Sequence, residues 1–481
     1  MDINYARIYG DTYELMKHAG KAISDFVIKL IPPGKSIAII CGTGNNAGDG
    51  ICCGEFLRKR YRISVVLIKG INGLKTPEAK RAINEYGGQY YDLSSVDSII
   101  TESDIIIDSI FGIGINGEPR KPYDGIIDIM NKSGKPIISV DVPSGFPTDI
   151  RIKPEYTITF TDIKNGMNPS NSGKIIVTDI GIPDDVKSTS GPGDMVYMPI
   201  STPESHKGMN GRVGILAGWE FSGAAVMSSL SAYNTGTDLV KVFSNDANRT
   251  IILSYNPGLM FYPVKDKGFD TSGLDALLIG PGMGKTDEAR SLMDYAVNNY
   301  QGQLILDADA LKMINPSKIA GRNAIITPHK VEFTAFTGLP PTEENAIETA
   351  RKYEIVILLK GSRDIITDGE TTKYSYGGNS RMTMGGTGDT LAGIVAGIAS
   401  RKVNPLRSAV LGSFINKRCA EMSFENTFTR SVPVLYADRD DMTVARSLMD
   451  YAVNNYQGQL ILDADALKMI NPSKYLLYPL S

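Results

Sequence analysis

The chain is expected to form two successive α/β domains, each a parallel sheet covered by helices on both faces. Three observations predict this. Short continuous apolar runs alternate with helical patterns through most of the 481 residues. The alternation pauses in a Pro-, Gly- and Ser-rich stretch and restarts after residue 205. Glycine loops and single carboxylates directly follow several apolar runs, where ligands bind in open parallel sheets. The runs are continuous rather than alternating, which marks strands buried on both faces.

In chain order, SIAIIC (36–41), ISVVLI (63–68), DIIID (104–108) and PIISVDV (136–142) read as strands. AGDGICCGEFLRKR and TPEAKRAINEYGG read as the intervening helices, the second closed by glycine. After residue 205 come GRVGILAG, a helix around SGAAVMSSLSAYN, then DALLIG, QLILDA, NAIITP and IVILLKG. The expected domains are 1–185 and 205–440, with a linker over 186–204 and a tail over 441–481.

Composition narrows the function classes. Hydrophobic residues make up 42% and charged residues 21%, as in ordinary globular proteins. The net charge is -3 and no Lys/Arg run stands out, so a nucleic-acid partner is not expected. The N-terminal stretch lacks a signal-peptide pattern and no apolar run is long enough for a span, so a cytoplasmic protein is expected. The four cysteines have no metal or CxxC spacing and read as buried thiols. With three histidines, a histidine-rich metal site is excluded.

GTGNNAGDG (42–50) follows the first strand and opens a helix. Its glycines let the backbone approach a ligand, and a helix N-terminus favours phosphate. The loop lacks the GK[ST] of a P-loop, and Asn45, Asn46 and Asp49 add side-chain oxygens suited to a sugar, a ring or a cation. A polar turn with a good helix cap explains this loop equally well on its own. Two further strand ends weigh against that bland reading. Asp108 ends one strand before the loop FGIGINGE, and Asp141 and Ser144 follow another in SVDVPSG. Asn46, Asp108 and Ser144 together offer hard oxygens with one formal charge, which suits a monovalent cation better than magnesium. Asp141 is then a candidate acid/base.

In the second half, TMGGTGDTLAGIVAG (383–397) places glycines ahead of Asp389 at a helix start. Backbone N–H groups there can stabilise a transferring phosphoryl group while Asp389 takes a proton from the attacking hydroxyl. The alternative is an aspartate that merely caps the helix. His329 in TPHKVEF is a candidate ligand contact or a capped turn residue, and Lys360 reads as a phosphate or backbone contact rather than a catalytic amine.

These motifs resemble known families. ELMKHAG, GTGNNAGDG, DSIFGIG and VDVPSG are similar to the NAD(P)H-hydrate epimerases. The resemblance implies substrate loops at Asn45, Asn46, Ala47, Gly48 and Asp49 and at Gly112, Ile113, Gly114, Ile115, Asn116, Gly117 and Glu118. It further implies potassium on Asn46, Asp108 and Ser144, and substrate contact by Asp141. Ala47 stands where glycine is usual, and a positive φ there would strain it. TMGGTGD resembles the ribokinase-like kinases. With HKGMNGRVGILAG, GPGMG, LDADAL, TPHKVEF, LLKGSRDII and GGNSRM in order, the second half is similar to the ADP/ATP-dependent NAD(P)H-hydrate dehydratases. That implies hydrate contact by Ala224, Gly284, His329 and Asp389, and adenine-nucleotide contact by Lys360, Gly361, Ser362, Arg363, Asp364 and Gly388. The implied fold is a Rossmann-like three-layer domain followed by a ribokinase-like α/β domain. The implied activity is repair of hydrated NADH and NADPH: epimerisation of the R and S hydrates, then dehydration of the S form. The expected partners are these hydrates and ADP or ATP with magnesium, ADP being favoured, in a homo-oligomer. A vitamin or sugar-alcohol kinase, or a non-catalytic nucleotide-binding first domain, remains the alternative.

One feature fits neither domain. ARSLMDYAVNNYQGQLILDADALKMINPSK stands at 289–318 and again, unchanged, at 445–474. The first copy reads as helix, interior strand and helix of the second sheet. The second lacks the surrounding βαβ context, and no site is assigned to it. A recombination or frame error near 430–445 would explain it, and resequencing that returned one copy would confirm this.

Overall fold

The computed structural model describes residues 1–114, 117–264 and 268–427. The second copy of the repeat, at 445–474, lies outside the described residues. The chain divides into one unit over Met1–Asp184 and another beginning at Asp185.

The first unit is built on a seven-stranded sheet, all parallel, in the order β3-β2-β1-β4-β5-β6-β7. Its strands are β1 Ser36–Cys41, β2 Arg62–Leu67, β3 Tyr90–Asp92, β4 Ile105–Ser109, β5 Ile137–Val140, β6 Tyr156–Phe160 and β7 Lys174–Thr178. The four apolar runs identified from sequence are β1, β2, β4 and β5. Ile37, Ile39 and Ile40 of β1 and Ile106 and Ile107 of β4 are fully buried. Each such side chain contributes about 1.5–3 kcal/mol relative to exposure. The strand order reverses between β1 and β4, which makes the crevice beyond their C-terminal ends the expected ligand site.

Helix Asn45–Leu57 follows β1 directly. Ala47 is fully buried within it and is not among the left-handed residues, so the expected strain at Ala47 is absent. Helix Pro77–Glu85 starts at a Thr76 cap with proline in its first turn. It ends at Tyr86 in extended conformation, so the glycine closure read from EYGG is replaced by an extended exit, with both glycines beyond the helix.

The second unit carries a nine-stranded sheet in the order β10-β9-β8-β11-β12-β13-β14-β15-β16. The strands are β8 Arg212–Leu216, β9 Leu239–Ser244, β10 Met260–Pro263, β11 Ala276–Ile279, β12 Gln303–Leu306, β13 Ala324–Ile326, β14 Val356–Leu359, β15 Asp364–Thr367 and β16 Thr372–Ser375. Strands β8 to β14 pair parallel, and β15 and β16 add an antiparallel edge. The first copy of the repeat supplies all but the first two residues of helix Asp287–Asn299, the interior strand β12 and helix Asp309–Met313. Every residue of β12 is buried, so this copy is integral to the sheet. The segment 186–204, read from sequence as a linker, falls within this second unit. Ser190 N donates to Tyr374 O at 2.7 Å, and Arg401 Nη2 donates to Pro199 O at 2.6 Å.

Helix Thr387–Ser400 is apolar or small on nearly every side and lies against helix Ser222–Asn234. The small residues are what allow that approach. A Cβ added to Gly393 would lie 2.2 Å from the carbonyl oxygen of Ser228. Gly393→Val is therefore expected to destabilise the second unit by about 3 kcal/mol, read as a lower urea midpoint. An unchanged midpoint would show that the two helices are free to separate. No helix among the described residues is long and apolar enough to cross a membrane.

Candidate functional site

In the first unit, three strand ends converge. Register places Asp108 of β4 beside Ser139 of β5. Asp108 is fully buried and its carboxylate accepts from Ser139 Oγ at 2.7 Å, Ser144 N at 2.9 Å and Ser144 Oγ at 2.5 Å. Ser144 Oγ also accepts from Phe111 N at 2.8 Å, tying the loop after β5 to the loop after β4. Burial pushes the Asp108 carboxyl up, while the bonds from Ser144 and Ser139 pull it back. Asn46 closes the group: its backbone carbonyl accepts from Ser109 Oγ, and its Oδ1 lies 3.8 Å from where a Cβ on Gly112 would sit. Asn46 Nδ2 is buried without a partner. Asn46, Asp108 and Ser144 thus share one neighbourhood. The buried carboxylate is surrounded by neutral donors, and the buried amide beside it is incompletely satisfied. The Asp108 carboxylate, the Ser144 hydroxyl oxygen and the Asn46 amide oxygen are the oxygens this group could offer a monovalent cation, whereas the unpartnered Asn46 Nδ2 is a donor and offers none.

Asp141 follows β5 with φ 65°, and Thr161, after the neighbouring β6, has φ 68°. Left-handed backbone costs a non-glycine residue about 1–2 kcal/mol, and residues held this way cluster at functional sites. Asp141 Oδ1 meets Lys164 Nζ at 2.6 Å, and the same ammonium donates to Phe160 O at 2.7 Å. Asp49 lies one turn into helix Asn45–Leu57, and burial, then the charge of Asp141, push its carboxyl well up. The site therefore pairs a carboxyl pushed towards its neutral form with a carboxylate held by a lysine. Sequence reading missed Lys164, and nothing local in TDIKNG marks it. Asn45, Ile113, Gly114, Gly117 and Glu118 are exposed around this crevice, and Ala47 and Gly48 are buried. Ile115 and Asn116 lie outside the described residues.

In the second unit a chain of hydrogen bonds and ion pairs links the candidates Gly284, His329 and Lys360. Ala224 lies in the first turn of helix Ser222–Asn234, 2.8 Å from where a Cβ on Gly282 would sit, and Glu220 N and Phe221 N both donate to Gly282 O at 3.0 Å. Gly284 has φ 71°, and a Cβ there would lie 1.9 Å from Glu220 Oε2, so a side chain would be strained and would have to displace Glu220. Gly284 N donates to Asp309 Oδ2 at 2.9 Å. Lys312 links Asp309, at 3.0 Å, to Glu332, at 3.9 Å. Glu332, 4% exposed, meets His329 Nε2 at 3.2 Å and Lys360 Nζ at 3.6 Å. Lys360 Nζ also reaches Asp307 Oδ1 at 2.8 Å, and a Cβ on Gly388 would lie 3.3 Å from it.

His329 is indeed a helix cap: its Nδ1 accepts from Val331 N and Glu332 N at 3.1 and 3.2 Å. That leaves Nε2 as the ring nitrogen facing Glu332. Lys360 makes a carboxylate-paired ammonium here, not a backbone contact. Burial alone would push it down, but Asp307 and Glu332 more than reverse this and raise it. Asp389 makes no capping bond, and its helix is capped by Gly386 in left-handed conformation. The Asp389 carboxyl is pushed up to about 6, first by burial, then by Asp307, with Lys360 opposing.

Among the six nucleotide-contact candidates, the structure separates two side chains from the cluster. Asp364, 4% exposed, accepts from Gly361 N at 2.8 Å and Ser413 Oγ at 2.6 Å and pairs with Lys417 at 3.4 Å. Arg363 bonds Glu343 at 2.9 Å and stacks 4.6 Å from the centre of the Tyr374 ring. Sequence reading also missed Asp307, Glu332 and Lys312 as site members. Their motifs LDADAL and TPHKVEF were visible, but their mutual pairing was not.

A sheet with a phosphate-type loop beside a buried carboxylate, joined in one chain to a sheet ending at a glycine-cradled aspartate, defines a two-domain α/β nucleotide enzyme. Residues 12–166 match the family described as YjeF-related protein N-terminus, and residues 213–440 match NAD(P)H-hydrate dehydratase. The bifunctional NAD(P)H-hydrate repair enzyme of Hyperthermus butylicus is 30% identical, over 95% of this chain and 91% of its own. That of Methanothermobacter thermautotrophicus is 32% identical, over 89% and 91%. The ADP/ATP-dependent NAD(P)H-hydrate dehydratase of Bacillus subtilis, co-crystallized with ATP/Mg2+, aligns at 24% identity and TM-score 0.49, over 55% of this chain and 99% of that one. The chain belongs to the bifunctional NAD(P)H-hydrate repair enzyme family.

Proposed function

We propose that the first unit epimerises hydrated NADH and NADPH and the second dehydrates the S hydrate, using Asp141 and Asp389 respectively. The observation that carries this reading is the polar chain running from Gly284 through Asp309, Lys312 and Glu332 to Lys360, whose charge acts on Asp389. Asp389 accepts the proton of the hydrate's hydroxyl while a phosphoryl group passes from the nucleotide to that oxygen. Phosphate then leaves with the C–O bond electrons, the ring nitrogen's lone pair stabilises the resulting cation, and loss of a proton from the neighbouring carbon restores the double bond. Phosphorylation converts a poor leaving group into a good one.

The hydrate contacts proposed in this unit are Ala224, Gly284, His329 and Asp389. The nucleotide contacts are Lys360, Gly361, Ser362, Arg363 and Gly388, with Asp364 holding the loop from inside. No group of three or more acidic, histidine or cysteine side chains among the described residues could hold a metal alone. Magnesium would therefore be carried by the nucleotide phosphates, whose charge it would neutralise. ADP is the favoured donor, by resemblance to fused prokaryotic enzymes.

In the first unit the hydrated carbon is a carbinolamine, which inverts when the ring C–N bond breaks as the hydroxyl gives up its proton and then re-forms on the other face of the resulting carbonyl, the proton returning to oxygen. Asp141 is proposed to move this proton, with Asn45 to Asp49 and Gly112 to Glu118 as substrate loops. Potassium would be held by Asn46, Asp108 and Ser144, where it would fix the loops. A cytoplasmic setting is supported by the composition and by the expectation of an intracellular nucleotide substrate.

The test is recovery of reduced-nicotinamide absorbance from mixed R and S hydrates, with ADP or ATP, magnesium and potassium. Full recovery is expected, both from the whole chain and from a version ending at residue 440. A plateau at the S fraction would leave the first unit inactive, and accumulation of a stable phosphoester would favour a kinase. The pH profile adds a sign. Asp389 must be ionised to accept a proton, so dehydration is expected in full above its value of about 6 and to fall as pH drops through it. A flat profile between pH of about 5 and 8 would remove Asp389 as the base.

A further inference from the structure

We propose that Lys417 is a positioning residue for the nucleotide, turning two backbone N–H groups of the loop after β14 outward as donors to nucleotide oxygens. The proposal rests on the reading that this loop binds the adenine nucleotide. Lys417 lies on helix Pro405–Thr427 and is 4% exposed. Its Nζ donates to the carbonyl oxygens of Gly361 at 3.2 Å and Ser362 at 2.8 Å and pairs with Asp364 Oδ1 at 3.4 Å. Both carbonyls are thus drawn inward toward one buried ammonium. In a planar trans peptide the N–H points opposite to the C=O. The N–H groups of Ser362 and Arg363 are accordingly turned away from Lys417. Successive backbone N–H groups of this kind form an anion-binding concavity.

The same helix face braces the neighbouring segment. Ser413, Lys417 and Glu421 are spaced four residues apart and so share one side. Ser413 Oγ holds the other oxygen of Asp364 at 2.6 Å, and Glu421 Oε1 accepts from Gly378 N at 3.0 Å. Asn379 Nδ2 donates to Ala420 O at 2.8 Å. One helix therefore fixes both Gly361–Asp364 and the GGNSRM segment. Among the described residues Lys417 and Ser413 bond to Gly361, Ser362 and Asp364 and not to Asp389 or the charged groups around Lys360, so their effect should fall on nucleotide binding rather than on the chemical step.

The experiment compares steady-state kinetics of the whole chain carrying Lys417→Met, Ser413→Ala or Ser362→Trp. Lys417→Met is expected to raise KM for ADP or ATP about tenfold, with kcat within about twofold and KM for the hydrate unchanged. Ser413→Ala leaves no charge unpaired and should raise nucleotide KM about threefold; it serves if Lys417→Met does not fold. Ser362→Trp blocks the loop directly. If Ser362→Trp leaves nucleotide KM unchanged, the loop is not the nucleotide site and the underlying reading fails. If it raises KM while neither helix variant does, the reading stands and the positioning role is overturned. Equal losses for both substrates would assign Lys417 to general stability and would also overturn it.

Discussion

Asp389→Asn is expected to lower the dehydration rate by about 10³-fold while leaving epimerisation of the hydrates at its normal rate. The carboxylate is half-buried behind glycines, it makes no capping bond, and it faces Asp307 and Lys360. An asparagine of the same shape keeps the helix start but cannot accept a proton. The substitution should cost little stability, because the helix is capped by Gly386 and not by this side chain. Single-turnover dehydration of the S hydrate with saturating nucleotide measures the effect. Retention of more than about a tenth of the rate would show that another group takes the proton.

Asp141→Asn is expected to slow interconversion of the hydrates by about 10²-fold, with dehydration of S hydrate unaffected. The substitution removes the charge that Lys164 meets at 2.6 Å and with it the field that, after burial, pushes the Asp49 carboxyl up. Epimerisation can be followed by chromatography of pure R hydrate without nucleotide. Normal conversion by the variant would dismiss Asp141 as the proton carrier and leave Asp49 as the remaining carboxylate beside it. Because the two reactions are read separately, loss of one with retention of the other also excludes general unfolding.

Much of this molecule was legible beforehand because its signals are local. The apolar runs became strands, as continuous burial on two faces demands. Asp108, Asp141, His329, Lys360 and Asp389 were visible as polar residues placed directly after such runs or at a glycine-rich helix start. The first copy of the repeat was legible for the same reason, since an interior strand flanked by helices has one place in a parallel sheet. Less local expectations fared differently. Ala47 needed a backbone angle that only the folded loop could give, and it is helical. The glycine pair after Pro77–Glu85 did not close the helix, because the chain left it extended at Tyr86.

The sequence by itself determined the two sheets, the ends of their strands and the chemistry offered there, because burial period, glycine loops and carboxylates are written residue by residue. Only the tertiary structure decided which of those groups meet. Lys360 and Asp307 are 53 positions apart and pair because β12 and β14 end on the same side of one sheet. Asp364 looked available and is instead held from inside by Ser413 and Lys417, some 50 residues later. Lys164 looked ordinary and carries the partner of Asp141. Charge pairing depends on separations of a few ångströms, and these are fixed by the packing of distant segments rather than by their spacing along the chain.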